Sequence, residues 1–313
     1  MRISAFKTKK LIYSIIFVLL YILPLLLYGN KVSIVFVLLL FIVFPSHFLC
    51  EILVTKKIFQ NIFEAFHISA SIMLLLFIIF SIPYKMFNIS RVIPYILATS
   101  TSLSMFIADN YLIRENEQNI DKKNQKALKL HLIFMSSSLL ILYLLLKNIQ
   151  RLYTMDETSY IFNTQLFQQY GVMLSAGVSP YASTLSKYLV GRHIWYSYLY
   201  SVKLFTGVKP YDLHLAGILY DVLLASISLG ILYDILHISN FKLSLLASLV
   251  VLSSPTILPW SVTALLDLPQ TYFILVSIYF ILKSVKTAKG IISDIDSFRF
   301  FLGLLYAFFT ILF

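Results

Sequence analysis

Runs of about 18 or more apolar residues, each long enough to cross roughly 30 Å of hydrocarbon, recur along the whole 313-residue chain. No other feature limits the fold as tightly. In lipid, a backbone has to satisfy its own N–H and C=O groups, so such runs are helices. Spans are placed at Leu11–Tyr28, Val32–Leu53, Phe66–Pro83, Val92–Ile113, Leu130–Ile149, Leu213–Leu236, Leu243–Trp260 and Leu268–Leu282, and a last one begins near Phe300. Only 12% of residues are charged, about half the usual share for a soluble domain, which agrees. The expected fold is all-α: a polytopic transmembrane helical bundle. Residues 1–129 form a four-span region of unassigned role, and residues 130–313 form a second membrane module.

The formal charge of +11 does not point to nucleic acid, because the basic residues cluster between apolar runs. There they act as topology signals and contacts to anionic headgroups. Cys50 is the only cysteine, which rules out an internal disulfide. The first apolar run follows "MRISAFKTKK" but is too long for a signal peptide and lacks a small-residue cleavage site, so it reads as an uncleaved span.

One segment is ambiguous. "HIWYSYLYSVKLFTG" (His193–Gly207) is short, tyrosine-rich and interrupted by Lys203, so it either spans or lies in the interface. Laying it flat keeps most Lys and Arg on the cytoplasmic side, and the positive-inside rule favours that choice. The expectation is then an interfacial juxtamembrane helix, with Trp195 and Trp260 at the outer interface. The N-terminus is cytoplasmic, and Asp156, Glu157 and Asp267 share the extracytoplasmic face, most simply of the plasma membrane.

The carboxylates are the candidates for chemistry. "QRLYTMDETSYIFNTQ" sets Asp156 and Glu157 side by side at the start of an amphipathic helix. Acids at a helix start are favoured by the macrodipole, which accounts for them equally well. The functional alternative is a general base or metal ligand at a lipid-facing cavity. Arg192 and His193 are cations available to a leaving phosphate, although interfacial Arg also pairs with headgroups. His214, Gly217 and Asp221 recur at i, i+3 and i+7 on one helical face. Asp221 then sits about 10 Å deep, facing either a cavity or a packing partner. His47, His67, His131 and His237 show no metal-ligand spacing, and Asp109 and Asp234 sit near cytoplasmic helix ends.

From "YTMDETSYIFNTQLFQQYGV" through "GRHIWYSYLYSVKLFTGVKPYDLHLAGILYDVLLASISLGILYDIL" to "ALLDLPQTYFILVSIYFILK", the order of features resembles the GT-C superfamily of membrane glycosyltransferases. The protein mannosyltransferase and aminoarabinose transferase branch is the nearest in pattern. The resemblance covers about Leu130–Phe313 and implies transfer of a sugar from a polyprenyl-phosphate donor to a protein, lipid or glycan acceptor, usually with inversion. It matches Asp156 and Glu157 to the family's Asp-Glu pair, "LFTGV" to the end of a juxtamembrane helix, and Asp267 to a second acid. Asp156 is then the base or an acceptor contact, with Glu157 and Asp267 supporting the site or holding Mg²⁺ or Mn²⁺. Arg192, His193, His214 and Asp221 are the substrate-binding candidates. "GRHIWY" stands where the family has Lys-Pro-Pro, and His214 stands near the place of a family arginine. The family continues beyond the equivalent of "RFFLGLLYAFFTILF", so the chain is expected to be C-terminally shortened. Two other classes stay open: a transporter or flippase, and a non-catalytic membrane subunit.

Overall fold

The computed structural model describes residues 18–86, 90, 92–116, 122–148, 193–236, 241–252, 267–288 and 291–312. It is a helical bundle. Its helices are α1 (Val32–Thr55), α2 (Ile62–Met86), α3 (Val92–Asn116), α4 (Lys122–Leu146), α5 (His193–Thr206), α6 (Pro210–Ile235), α7 (Phe241–Leu252), α8 (Asp267–Ser284) and α9 (Ser297–Leu312). Among the described residues, α1, α2, α3, α4 and α6 are long and apolar enough to cross a membrane. The first expected span is described only from Val18, as short helical turns that include Leu23–Leu26. One departure from an all-α fold is an antiparallel hairpin, β1 (Val285–Ala288) with β2 (Ile291–Ile295), which joins α8 to α9.

Several charged and polar groups are buried within the apolar interior, and many large apolar groups face outward. Glu64, His67, His131 and Asp221 are buried, while Ile107, Ile133, Leu145, Phe301 and Phe308 are exposed. That distribution suits a hydrocarbon solvent and would be costly in water. A single hydrophobic core runs through residues before and after position 130, which itself lies inside α4.

Proline sets the shape of α1. Pro45 has no N–H to donate, and the chain forms a π-helical turn over Leu39–Val43 just before it. The Leu40 carbonyl, which a π turn would offer to residue 45, is taken up by a neighbouring side chain. Ser102 Oγ donates to it at 2.8 Å, and Tyr21 OH in turn bonds Ser102 Oγ. The break therefore lies where other helices can satisfy it.

α5 corrects the sequence reading. Trp195 is 0% exposed, stacked on Tyr198 and edge-on to Tyr220, and Tyr198 OH donates to the Ala216 carbonyl at 2.8 Å. Ser201 bonds Ser81 of α2 at 2.5 Å, and Phe205 stacks on Phe77. The helix is therefore packed inside the bundle and does not lie in the interface. Its tyrosines are amphipathic enough for either place, and here their hydroxyls find protein partners.

Tyr143 and Lys147, at the end of α4, line one cavity with Tyr211 and Asp212, at the start of α6. The chain thus leaves and regains the same end of the bundle around α5. At the opposite end, Lys283 of α8 and Arg299 of α9 meet Glu64 of α2. Asp267 begins α8, an 18-residue helix about 26 Å long, and so lies away from Glu64.

Candidate functional site

Asp156, Glu157 and Arg192 lie outside the described residues. His193 opens α5, roughly 20 Å along the helix axis from Thr206. His214 is buried, its Nδ1 2.7 Å from the Tyr211 carbonyl. Asp221 is 1% exposed. Residues Pro210–Gly217 form a 3-10 helix, which rises about 2 Å per residue instead of 1.5 Å. Asp221 therefore lies roughly 16 Å along the axis from Asp212, deeper than a uniform α-helix would put it. Asp267 is exposed, and its carbonyl accepts from Thr271 Oγ1 at 2.7 Å. The described structure does not bring His214, Asp221 and Asp267 into one cavity.

The end shared by α4 and α6 does hold a polar cavity of about 400 Å³. Its described lining includes Lys31, Lys147, Lys209, Asp212, Tyr143 and Tyr211. Lys31 Nζ pairs with Asp212 Oδ1 at 2.9 Å, and the bond to this nearly buried carboxylate raises the ammonium above its ordinary pKa. Lys209 lies over the Tyr211 ring at 5.7 Å, and Lys147 over the Tyr143 ring at 6.0 Å. Contact with the Tyr211 side chain likewise raises Lys209. With one carboxylate against three ammoniums, the described lining of the cavity carries a net positive charge. Two distant segments of the chain are fastened together beside it. The Gly29 N–H donates to the Thr206 carbonyl at 2.7 Å, and Gly207, at φ +65°, passes so close to the Tyr28 ring that a Cβ would collide with it.

A second polar group lies in the middle of the bundle. His47 Nε2 is 3.0 Å from His131 Nδ1, and His131 Nε2 is 2.8 Å from Ser226 Oγ. His47 Nδ1 is 2.9 Å from the Val43 carbonyl, which can only accept. This fixes the tautomers. His47 carries its hydrogen on Nδ1, His131 donates from Nδ1 to His47 Nε2, and the Ser226 hydroxyl donates to His131 Nε2. All three bonds are satisfied with neutral rings, so the chain latches α1, α4 and α6 together. His67 Nδ1 extends the polar interior to Tyr272 OH at 3.1 Å. Sequence spacing misses this group because each histidine comes from a different helix. Substituting His131→Leu is expected to cost about 1–3 kcal/mol, with two buried groups losing their partner, and Ser226→Ala about 0.6 kcal/mol. Unfolding in detergent checks both values. A neutral His131→Leu would show that the latch adds no stability.

Among the described residues no three His, Cys, Asp or Glu side chains group as a metal site. Of the proposed set Asp156, Glu157 and Asp267, only Asp267 is described. No protein-family model, curated protein or solved structure matches the chain.

Proposed function

We propose that the chain is a membrane glycosyltransferase that moves a sugar from a polyprenyl-phosphate-linked donor to an acceptor on the extracytoplasmic face. The supporting observation is the shared end of α4 and α6, where the chain departs toward Asp156 and Glu157 and returns at a cationic cavity. Asp267 opens α8 away from the Glu64 end, in keeping with carboxylates gathered on one face. In the proposed reaction an acceptor hydroxyl attacks C1 of the sugar and gives its proton to Asp156. The bond from C1 to the phosphate oxygen breaks, and the polyprenyl phosphate leaves with both electrons. Glu157 and Asp267 support the site and Arg192 is the proposed donor contact, whereas His193, far along α5 from Thr206, and the buried His214 and Asp221 are not gathered with Asp267.

The direct test incubates membranes holding the full chain with polyprenyl-phosphate donors labelled in the sugar. Label appearing in an acceptor supports transfer, and none across a panel of donor sugars argues against it. Topology gives a second check. Single cysteines at Ser159 and Thr271 in a Cys50→Ser background are both expected to react with a membrane-impermeant thiol reagent from outside. Labelling from opposite sides separates Asp267 from Asp156 and removes the shared site.

A transporter reading is favoured by one observation. α6 carries the buried Asp221 and changes from 3-10 to α to π helix along its length, and broken helices with intramembrane acids are typical of solute pathways. Solute uptake into proteoliposomes without sugar transfer would select it.

A further inference from the structure

The cavity lined by Lys31, Lys147 and Lys209 has a second cavity beside it in the fold. This one is an apolar pocket of about 310 Å³ lined by Leu25, Tyr28, Val92, Tyr95, Leu204 and Phe205. The two meet at two places along the chain. Tyr28 lines the apolar pocket and Gly29 the polar one, while Phe205 lines the apolar pocket and Lys209, four residues on, the polar one. The Gly29–Thr206 hydrogen bond and the close approach of Gly207 to Tyr28 form the seam between them. We infer that the pair is a binding site for a membrane lipid bearing a phosphate, the phosphate among the lysines and the hydrocarbon chain against Leu25, Val92 and Phe205.

Charge and geometry support this assignment. Asp212 neutralises Lys31 and holds it in place, leaving Lys147 and Lys209 as surplus ammoniums braced on tyrosine rings. Two surplus cations beside a fixed third suit a phosphate, whose oxygens accept several charge-assisted bonds at once. In the topology proposed above this end of the bundle is the poorer in Lys and Arg, so three lysines around one cavity here are not explained by topology alone. The apolar pocket opens at exposed Leu25 and Val92, where a chain from the bilayer can enter. The site also gives the first four spans a task, since Lys31, Tyr28 and Tyr95 come from them.

The assignment rests in part on the proposed function, because the leaving group there is a lipid phosphate. It is tested without turnover, so that the two stand or fall separately. The probe is phosphatidic acid binding to the full chain in detergent at 0.15 M salt, a concentration of about physiological ionic strength. Phosphatidylcholine and inorganic phosphate serve as comparisons. Phosphatidic acid is expected to bind at least about tenfold more tightly than either. Lys147→Gln with Lys209→Gln is expected to weaken it about 100-fold, and Lys147→Arg with Lys209→Arg to retain it. Equal unfolding midpoints show that the double variant is folded. Unchanged binding by the Gln variant overturns the site. Inorganic phosphate bound as tightly as phosphatidic acid overturns the lipid assignment, since the apolar pocket then contributes nothing.

Discussion

Substituting Asp156→Asn is expected to lower sugar transfer by about 10²–10⁴-fold while leaving membrane insertion unchanged. The exchange keeps the side chain's size and removes its basicity. In the proposed displacement that basicity is what draws the proton from the acceptor hydroxyl as the C–O bond forms. Glu157→Gln and Asp267→Asn act through support of the site and are expected to cost less. Initial rates at saturating donor, with expression and protease sensitivity as folding controls, give the comparison. Full activity in Asp156→Asn removes it as the base, and a comparable loss in Glu157→Gln alone would move the role by one residue.

Arg299→Ala is expected to destabilise the bundle by about 3–5 kcal/mol. Glu64 is 0% exposed and is held in a fork, with Arg299 Nε donating to Oε1 at 3.0 Å and Nη2 to Oε2 at 3.1 Å. Arg299 Nη1 also reaches Asp296 Oδ2 at 2.7 Å, so one side chain ties α9 and its preceding turn to α2. Removing it leaves a buried carboxylate with Lys283 at 3.8 Å, which sets the loss toward the lower end of the range. Glu64→Gln with Arg299→Met removes both charges and is expected to cost less than Arg299→Ala alone. The measurement is unfolding in detergent. A loss under about 1 kcal/mol for Arg299→Ala would mean that Lys283 suffices as the partner.

Hydropathy gave away most of the helices because each long apolar run has one solution in lipid. α2 and α3 begin within a few residues of where their runs predict. α4 extends further toward its N-terminus, since Lys122–Lys129 continue the helix beyond the apolar window. The setting of α5 was not legible. Fourteen residues rich in tyrosine with one lysine suit an interface or an interior equally, and the decision lies with Ser81 of α2 and the Ala216 carbonyl of α6. Lys31, Lys147 and Lys209 read singly as headgroup contacts, and only the return of the chain to one end makes them neighbours. Glu64 was passed over for the same reason, its partner lying 235 residues away. Of the candidate site, the burial of His214 and Asp221 and the end at which Asp267 begins are described. The role of Asp156 and Glu157 remains with the transfer assay.

α5 also bears on the order in which the molecule is built. At 14 residues it is about 21 Å long, short of the roughly 30 Å of hydrocarbon, and Lys203 interrupts it. It has little reason to enter lipid on its own. Its burial depends on surfaces supplied by α1 and α2, made long before it, and by α6, made just after it. Insertion is therefore expected to set the long helices first and to draw α5 inward only once α6 is in place. A chain truncated before α6 and released from the ribosome should leave residues 193–206 open to protease, and one ending beyond α6 should protect them.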